Sequence, residues 1–324
     1  MTAALVTGAT GQDGSYLCER LAEEGATVHA VVEDADAAAA LPWLATATLY
    51  QVDLRDSAAL REVVLTTTPG EVYNLAGLSS VGRSWNEPVL TAELNAVPVA
   101  VLLAAVREVQ QSSSVDVRFV QASSAEIFGD PLASPQDEGT PVEPTNPYGA
   151  AKAYAHHMVA IYRSLGLHAS SVVLYNHESP RRPPQFVTRK ITAAVARIAL
   201  GHQEHVTLGT LATRRDWGWA PDYVDGMVRA ARHDEPLDVV LATGRTHTIG
   251  EFADAALHAA GVEPRPGLVR VDAELARPTD ATEQCGDASL ARTVLGWVPS
   301  IGFEEIVRRM VVADLALLAD GDAQ

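Results

Sequence analysis

The sequence predicts an α/β fold, a doubly wound parallel sheet with a smaller mixed α/β carboxy-terminal lobe. Two observations carry this. Short β-rich runs alternate with helical stretches through the first 175 residues, and such alternation gives a parallel sheet covered on both faces. Three spaced glycines stand between the first run and the first helix, where a Rossmann-type sheet turns tightly from strand to helix.

The elements follow in order. Ala3–Thr7 is a short apolar run leading into Gly8, Gly11 and Gly14. Ser15–Glu24 carries Tyr16, Leu17, Leu21 and Ala22 at helical spacing and stops at Gly25. Thr27–Val32 is a second β-rich run, completing a βαβ unit. Thr48–Val52 reads as a strand ending in Asp53-Leu54, Ser57–Thr66 as a helix, and Glu71–Leu75 as a strand ending in Ala76-Gly77. A long helix is expected at Leu90–Val109, a strand at Val117–Ala122 ending in Ser123-Ser124, a helix at Tyr148–Leu165 and a sixth strand at Ala169–Leu174.

Beyond residue 175 the pattern loosens. Prolines and arginines cluster at 180–184, and helices are expected at Val187–Leu200, Tyr223–Arg232, Ile249–Ala260 and Phe303–Leu318. The reading divides the chain into a dinucleotide-binding domain, 1–175 with about 214–247, and a ligand-binding lobe, 176–213 with 248–324. That lobe is expected to close over the carboxyl ends of the strands, where ligands sit in such sheets.

Composition excludes several classes. The chain has 24 Lys plus Arg against 41 Asp plus Glu, a formal charge of −17. Such a surface repels phosphate backbones and anionic membranes, so no nucleic-acid or membrane partner is expected. A small anionic ligand remains compatible, because a few local cations outweigh the global field at short range. Cys18 and Cys285 are too few for a disulfide framework or a cysteine-rich zinc site. They read as reduced thiols of a cytoplasmic protein, and no metal site is expected. The apolar stretch Leu94–Val106 is interrupted by Asn95 and Pro98 and reads as too short to span a bilayer. The amino terminus lacks a basic region before its apolar run, so it reads as a first strand and not a signal peptide.

The spacing Gly8-x-x-Gly11-x-x-Gly14 lets the backbone approach a pyrophosphate whose charge rests on a helix N-terminus. Thr10, Gln12 and Asp13 fall in the same turn, and Leu75 ends the fourth strand with Ala76 and Ser79 beyond it, all as candidate cofactor contacts. Glu33-Asp34 ends the second strand about 20 residues on, where a carboxylate can accept bonds from ribose hydroxyls. It would repel a 2′-phosphate, and no Arg or Lys lies between Glu24 and Gln51. NAD is therefore expected over NADP, the alternative being a solvated loop at Glu33-Asp34. Asp53-Leu54 could meet the adenine edge, or Asp53 could simply cap the next helix.

Tyr148 and Lys152, at i and i+4 after Asn146-Pro147, share one helix face. A nearby cation favours phenolate, so Tyr148 can act as a base; the alternative is an ordinary surface pair. Ser124 would hydrogen-bond the oxygen being deprotonated. Glu126 could reach a neighbouring carbon of the same substrate, or be a structural carboxylate.

These residues resemble the extended short-chain dehydrogenase/reductase family, and within it the GDP-mannose 4,6-dehydratases. The resemblance rests on Thr7-Gly-Ala-Thr-Gly-Gln-Asp-Gly-Ser-Tyr-Leu17, Tyr73-Asn-Leu-Ala76 and Gln121-Ala-Ser-Ser-Ala-Glu-Ile-Phe-Gly129. Asn176-His-Glu-Ser-Pro-Arg-Arg182 is the most specific stretch, followed by Phe186-Val-Thr-Arg-Lys-Ile191. Arg215-Asp-Trp-Gly218, Asp222-Tyr-Val224, Arg277-Pro-Thr-Asp280 and Leu295-Gly-Trp297 complete it.

The resemblance implies a catalytic set of Ser124, Glu126, Tyr148 and Lys152. Tyr148 and Lys152 would also touch the cofactor, with nicotinamide-side contacts from His177 and Arg182. It places nucleotide-sugar contacts at Ser84, Asn176, Lys190, Arg215 and Arg277. The implied reaction is NAD-dependent 4,6-dehydration of a GDP-hexose, with a homodimer formed through the two long helices. A 4-epimerase or a 4-keto-6-deoxysugar reductase would share the Tyr/Lys/Ser chemistry, and a non-catalytic nucleotide sensor would share the scaffold. The sequence departs from the family pattern in four places. Glu33-Asp34 stands where an arginine pair is usual, Ser124 where Thr is, Asp280 where Glu is, and Gly77-Leu78 where a small residue plus Gln is.

Overall fold

A computed structural model of the chain describes residues 2–113, 115–275, 279 and 281–321. The first half alternates as expected: β1 (Ala3–Thr7), α1 (Gln12–Glu23), β2 (Thr27–Val32), α2 (Ala35–Ala39), β3 (Thr48–Gln51), α3 (Ser57–Thr67) and β4 (Glu71–Asn74). Three helices, α4 (Val81–Asn86), α5 (Pro88–Asn95) and α6 (Val97–Ser112), precede β5 (Arg118–Ala122), α7 (Pro147–Ser164), β6 (His168–Leu174) and β7 (Asn176–Glu178). Then come α8 (Val187–Ala199), β8 (Val206–Leu208), β9 (Arg214–Trp219), α9 (Ala220–Arg232), β10 (Asp238–Leu241), β11 (Thr246–Thr248) and α10 (Ile249–Ala259). The chain closes with β12 (Val269–Val271), β13 (Glu283–Gln284), α11 (Ser289–Val294) and α12 (Phe303–Gly321).

Seven parallel strands form the main sheet in the order β10-β6-β5-β4-β1-β2-β3. The direction of winding reverses between β1 and β4, so a crevice opens beyond their carboxyl ends. Successive strand residues face opposite sides. Ala4 and Val6 pack with Leu17 and Leu21 of α1 and Met227 and Val228 of α9. Leu5, Val72 and Phe119 pack with Leu60 and Val64 of α3, Leu102 and Val106 of α6, and Val159 of α7.

A third core lies away from this sheet, where Ile191 and Val195 of α8, Phe252 of α10 and Ile306 and Met310 of α12 enclose Trp217 of β9. In this second region β9 pairs with β7, β11 and β13, while β8 and β12 form a separate parallel pair.

Three expectations differ from the structure. The helix expected at Leu90–Val109 is two helices parted at Ala96. Pro98 explains the break: it has no N–H, and its ring excludes the carbonyl of the residue four back. The apolar stretch is also longer than expected, since Pro88–Ser112 is long and apolar enough by composition to cross a membrane. Here its inner residues Leu102, Leu103 and Val106 are fully buried against α3 and the sheet. Finally, Arg214–Trp219 joins the second sheet, not the main one, although 214–247 was assigned to the dinucleotide domain. The short β10, unforeseen, supplies the seventh main-sheet strand.

Candidate active site

The glycine turn is closed tightly around its own backbone. Gly8 has φ +71°, and a Cβ there would lie 2.8 Å from the Ala76 nitrogen. A Cβ on Gly14 would lie 2.1 Å from the Gly8 carbonyl oxygen, so only glycine lets α1 sit this close to β1. Gly11 precedes α1 with no side-chain cap, leaving first-turn N–H groups to face an anion. Thr7 ties the two strands of the crevice together. Its hydroxyl donates to Asn74 Oδ1 at 2.7 Å and accepts from the Leu75 and Ala76 nitrogens, each at 3.1 Å. Thr10 and Ser79 are exposed at the rim. An uncapped helix N-terminus and a cradle that tolerates no Cβ fit a dinucleotide pyrophosphate.

At the end of β2, Asp34 caps α2 by accepting from the Ala37 nitrogen at 3.0 Å. Glu33 is exposed beside it. Asp53 is not a helix cap; that role belongs to Asp56, which accepts from the Ala58 and Ala59 nitrogens. Asp53 instead holds Arg55, with contacts of 2.9 and 3.1 Å to Nε and 2.5 Å to Nη2. A guanidinium thus stands at this end of the crevice, which inspection of residues 24–51 alone could not show. Leu54 is half-buried next to it.

The reacting groups come together from β5, α7 and the short 3-10 turn Ala125–Phe128. Asn146 caps α7, its Oδ1 accepting from the Gly149 nitrogen at 2.8 Å. The same side chain donates from Nδ2 to Glu126 Oε2 at 2.7 Å. Gly149 permits the approach, since a Cβ there would lie 2.4 Å from the Glu126 carbonyl oxygen. Ser124 hydrogen-bonds Tyr148, and its Oγ accepts from the Glu126 nitrogen at 3.3 Å. Lys152 is buried and donates to the Ala122 carbonyl at 2.8 Å. Its ammonium lies 5.8 Å from the centre of the Tyr148 ring.

Burial dominates the electrostatics of this pair. It pushes the Tyr148 phenol up to about 12, with Ser124 pulling down and Glu126 pushing further up. It pushes Lys152 down to about 8, against the attraction of Asp13. With only protein around the phenol, burial outweighs any lowering by the Lys152 cation.

The segment Asn176–Arg182 is stitched to α1. His177 contacts Asp13, Gln12 Nε2 donates to the His177 carbonyl at 3.1 Å, and Ser179 donates to Gln12 Oε1 at 2.9 Å. Arg181 donates to Ser15 at 3.0 Å and pairs with Glu19 at 2.7 Å. Arg182 lies 3.3 Å from Glu178 and stacks over Phe186 at 3.7 Å.

A family model described as GDP-mannose 4,6 dehydratase matches residues 5–310. The chain belongs to this family. It is 41% identical to GDP-mannose 4,6 dehydratase 1 of Arabidopsis thaliana over 97% of this chain and 90% of that one. It is 39% identical to the GDP-mannose 4,6 dehydratase of Homo sapiens over 97% of this chain and 92% of that one. Among solved structures it resembles UDP-glucose 4-epimerase of Thermotoga maritima, crystallised with UDP-glucose, at TM-score 0.85 and 25% identity. That match covers 98% of this chain and 99% of the epimerase. The Thermus thermophilus UDP-glucose 4-epimerase, in complex with NAD, gives TM-score 0.81 and 27% identity, covering 96% of this chain and 98% of that one.

For this member of the dehydratase family, the sugar-side candidates are placed unevenly. Asn176 on β7 and Arg215 on β9 lie on paired strands. Arg215 is buried, donating to the Ala281 carbonyl at 2.8 Å. Lys190 on α8 is exposed and donates to the Thr207 carbonyl at 2.7 Å. Ser84 differs from expectation. It is wholly buried, and its hydroxyl donates to the Val81 carbonyl at 2.7 Å, satisfied within its own helix. Arg277 and Asp280 lie outside the described residues. Arg55, Arg181 and the Asn146 contact to Glu126 were not foreseen. Only the Asn146-Pro147 helix start was visible, and a capping amide always keeps an NH2 to spare.

Proposed function

We propose that this chain is an NAD-dependent 4,6-dehydratase of a GDP-hexose, with GDP-mannose the first substrate to test. One observation carries the reading: Glu126, held by Asn146 at 2.7 Å, stands within electrostatic reach of the Ser124-bonded phenol of Tyr148. A 4-epimerase or reductase needs the Tyr/Ser/Lys set but no second base.

The residues that would hold NAD are Gly8, Thr10, Gly11, Gln12, Asp13 and Gly14 at the pyrophosphate, with Leu75, Ala76 and Ser79 across the crevice. Glu33, Asp53 and Leu54 serve the adenosine end. Tyr148, Lys152, His177 and Arg182 serve the nicotinamide end. When bound, NAD supplies the hydride acceptor for the sugar C4 and the donor for C6.

Tyr148 takes the proton of the 4-hydroxyl, which Ser124 orients by hydrogen bond. A ketone at C4 acidifies the C5 proton, which Glu126 removes. Glu126 then hands that proton to the C6 hydroxyl as it leaves as water, and the proton held by Tyr148 balances the one that C5 must regain when C6 is reduced to a methyl. Lys152, fixed by the Ala122 carbonyl, orients the phenol and opposes its negative charge. Asn176, Lys190, Arg215 and Arg277 are the proposed contacts to the nucleotide sugar, where a guanidinium gives bidentate bonds to phosphate.

The test is incubation with GDP-mannose and NAD. Loss of water with a new C6 methyl by NMR supports dehydration, whereas inversion at C4 without a methyl overturns it.

Two further parts of the reading concern assembly and location. α5 and α6 expose Val89 and Val97, α7 exposes Tyr154 and Ile161, and Leu165 is exposed just past its end. Apolar side chains at this spacing along neighbouring helices suit a symmetric helical interface between two copies, so a homodimer is proposed. Sedimentation of the Ile161→Glu variant should give monomer. Cys18 and Cys285 are both free thiols, which supports a cytoplasmic location.

A further inference from the structure

The His177 ring has no nitrogen left over. Nδ1 lies 2.7 Å from the Tyr175 carbonyl oxygen, and Nε2 lies 2.9 Å from Asp13 Oδ2. The carbonyl only accepts, and so does the carboxylate while Asp13 is ionised, the form its lowered pKa favours. A neutral imidazole carries one N–H, so it would leave one of these short contacts as acceptor against acceptor. Only the doubly protonated ring satisfies both. One ring face also stacks on Tyr223 of α9, with centroids 4.5 Å apart and planes 21° from parallel, an arrangement that favours a cation.

We propose that His177 is a permanent imidazolium whose charge cancels that of Asp13, keeping the first turn of α1 receptive to the cofactor's pyrophosphate. His177 is thus a positioning residue, and this rests on the NAD site proposed above. Asp13 is the second residue of α1, next to the N–H groups that would meet the pyrophosphate. An uncompensated carboxylate there would oppose a second anion. The remaining groups acting on the pair are Glu178 on the strand of His177, Arg182 in the following turn, the stacked Tyr223 ring and, at Asp13, the Gln12 amide and the more distant Lys152. Glu178 and Arg182 offset each other at 3.3 Å, so Asp13 is the charge that His177 answers. Consistent with this, the pair is shifted against burial, with His177 raised and Asp13 lowered.

The pair makes an asymmetric demand on variants. His177→Gln removes the cation in direct contact with Asp13 and leaves its carboxylate with the Gln12 amide and the more distant Arg182. Asp13→Asn removes the carboxylate together with the reason for the positive charge, so the local sum stays near zero. NAD affinity measured by calorimetry should fall at least about tenfold in His177→Gln, and much less in Asp13→Asn. Adding Asp13→Asn to His177→Gln should recover most of the loss. Equal damage from the two single variants, or no recovery in the double, overturns the proposal.

Ring 15N NMR of the cofactor-free wild-type protein at pH 7 reads the charge independently of any ligand and of variant folding. Two protonated nitrogens on His177 are expected, and a neutral tautomer overturns the proposal. Failure of the wild-type protein to bind NAD at all would overturn the cofactor reading and the proposal's purpose together. The two failures are thereby told apart.

Discussion

Asn146 serves two masters with one amide: its oxygen caps α7 at the Gly149 nitrogen, and its nitrogen holds Glu126 at 2.7 Å. The helix that presents Tyr148 and Lys152 and the carboxylate proposed to remove the C5 proton are therefore fixed by the same side chain. Replacing Asn146 by Asp keeps the cap but sets a second carboxylate against Glu126. The like charge should make Glu126 harder to ionise in this variant, moving the acid limb of the kcat profile to higher pH. Asn146→Ala should also cost about 1 kcal/mol of stability, read as a fall in denaturation midpoint.

Glu126→Gln separates oxidation from elimination. Water loss from GDP-mannose should drop by about 10²–10⁴-fold, while NAD affinity stays within a factor of two or so of wild type. Stopped-flow absorbance of reduced cofactor should still rise on mixing with the sugar nucleotide. Normal formation of 6-deoxy product by this variant would contradict the role.

The Tyr148 phenol is pushed up to about 12 by burial when only protein surrounds it. A cationic nicotinamide nearby favours the phenolate. Ultraviolet titration, taken as wild type minus Tyr148→Phe, should show the phenolate emerging at distinctly lower pH with oxidised NAD than without it. Reduced NAD, which carries no ring charge, should give a smaller shift.

Lys152 has a pH signature in stability. Burial brings it from 10.5 to about 8 in the folded protein. Between those values the unfolded chain binds more protons, so this group makes stability rise with pH across that window. Below about pH 8 both states are protonated, and the buried charge is a constant burden. The Lys152→Met variant should lack this rise, seen as a flatter melting temperature from pH 8 to 10 than wild type, and should be inactive.

Cofactor choice should follow Glu33. Asp34 is occupied as the cap of α2 and Asp53 is occupied by Arg55, which leaves Glu33 to meet the ribose. Wild-type protein should bind NAD at least about tenfold more tightly than NADP, and Glu33→Ser should shrink that ratio through loss of repulsion toward a 2′-phosphate. Comparable binding of the two cofactors by the wild type would remove this role.

The backbone plan was legible in the sequence because it depends on local rules. Glycines at 8, 11 and 14, strands of four to seven residues and helices with one apolar face are short-range signals. The i, i+4 spacing likewise puts Tyr148 and Lys152 on one face whatever surrounds them. Pro98 broke the long helix by a rule equally visible in the chain.

The electrostatic state was decided by tertiary structure alone. Whether Lys152 activates Tyr148, which carboxylate caps and which pairs with a guanidinium, and where both nitrogens of His177 point all depend on partners far away in the chain. Asp13 and His177 are 164 residues apart. Charge and hydrogen-bond energies depend on distance and on exclusion of water, and only the folded chain sets either.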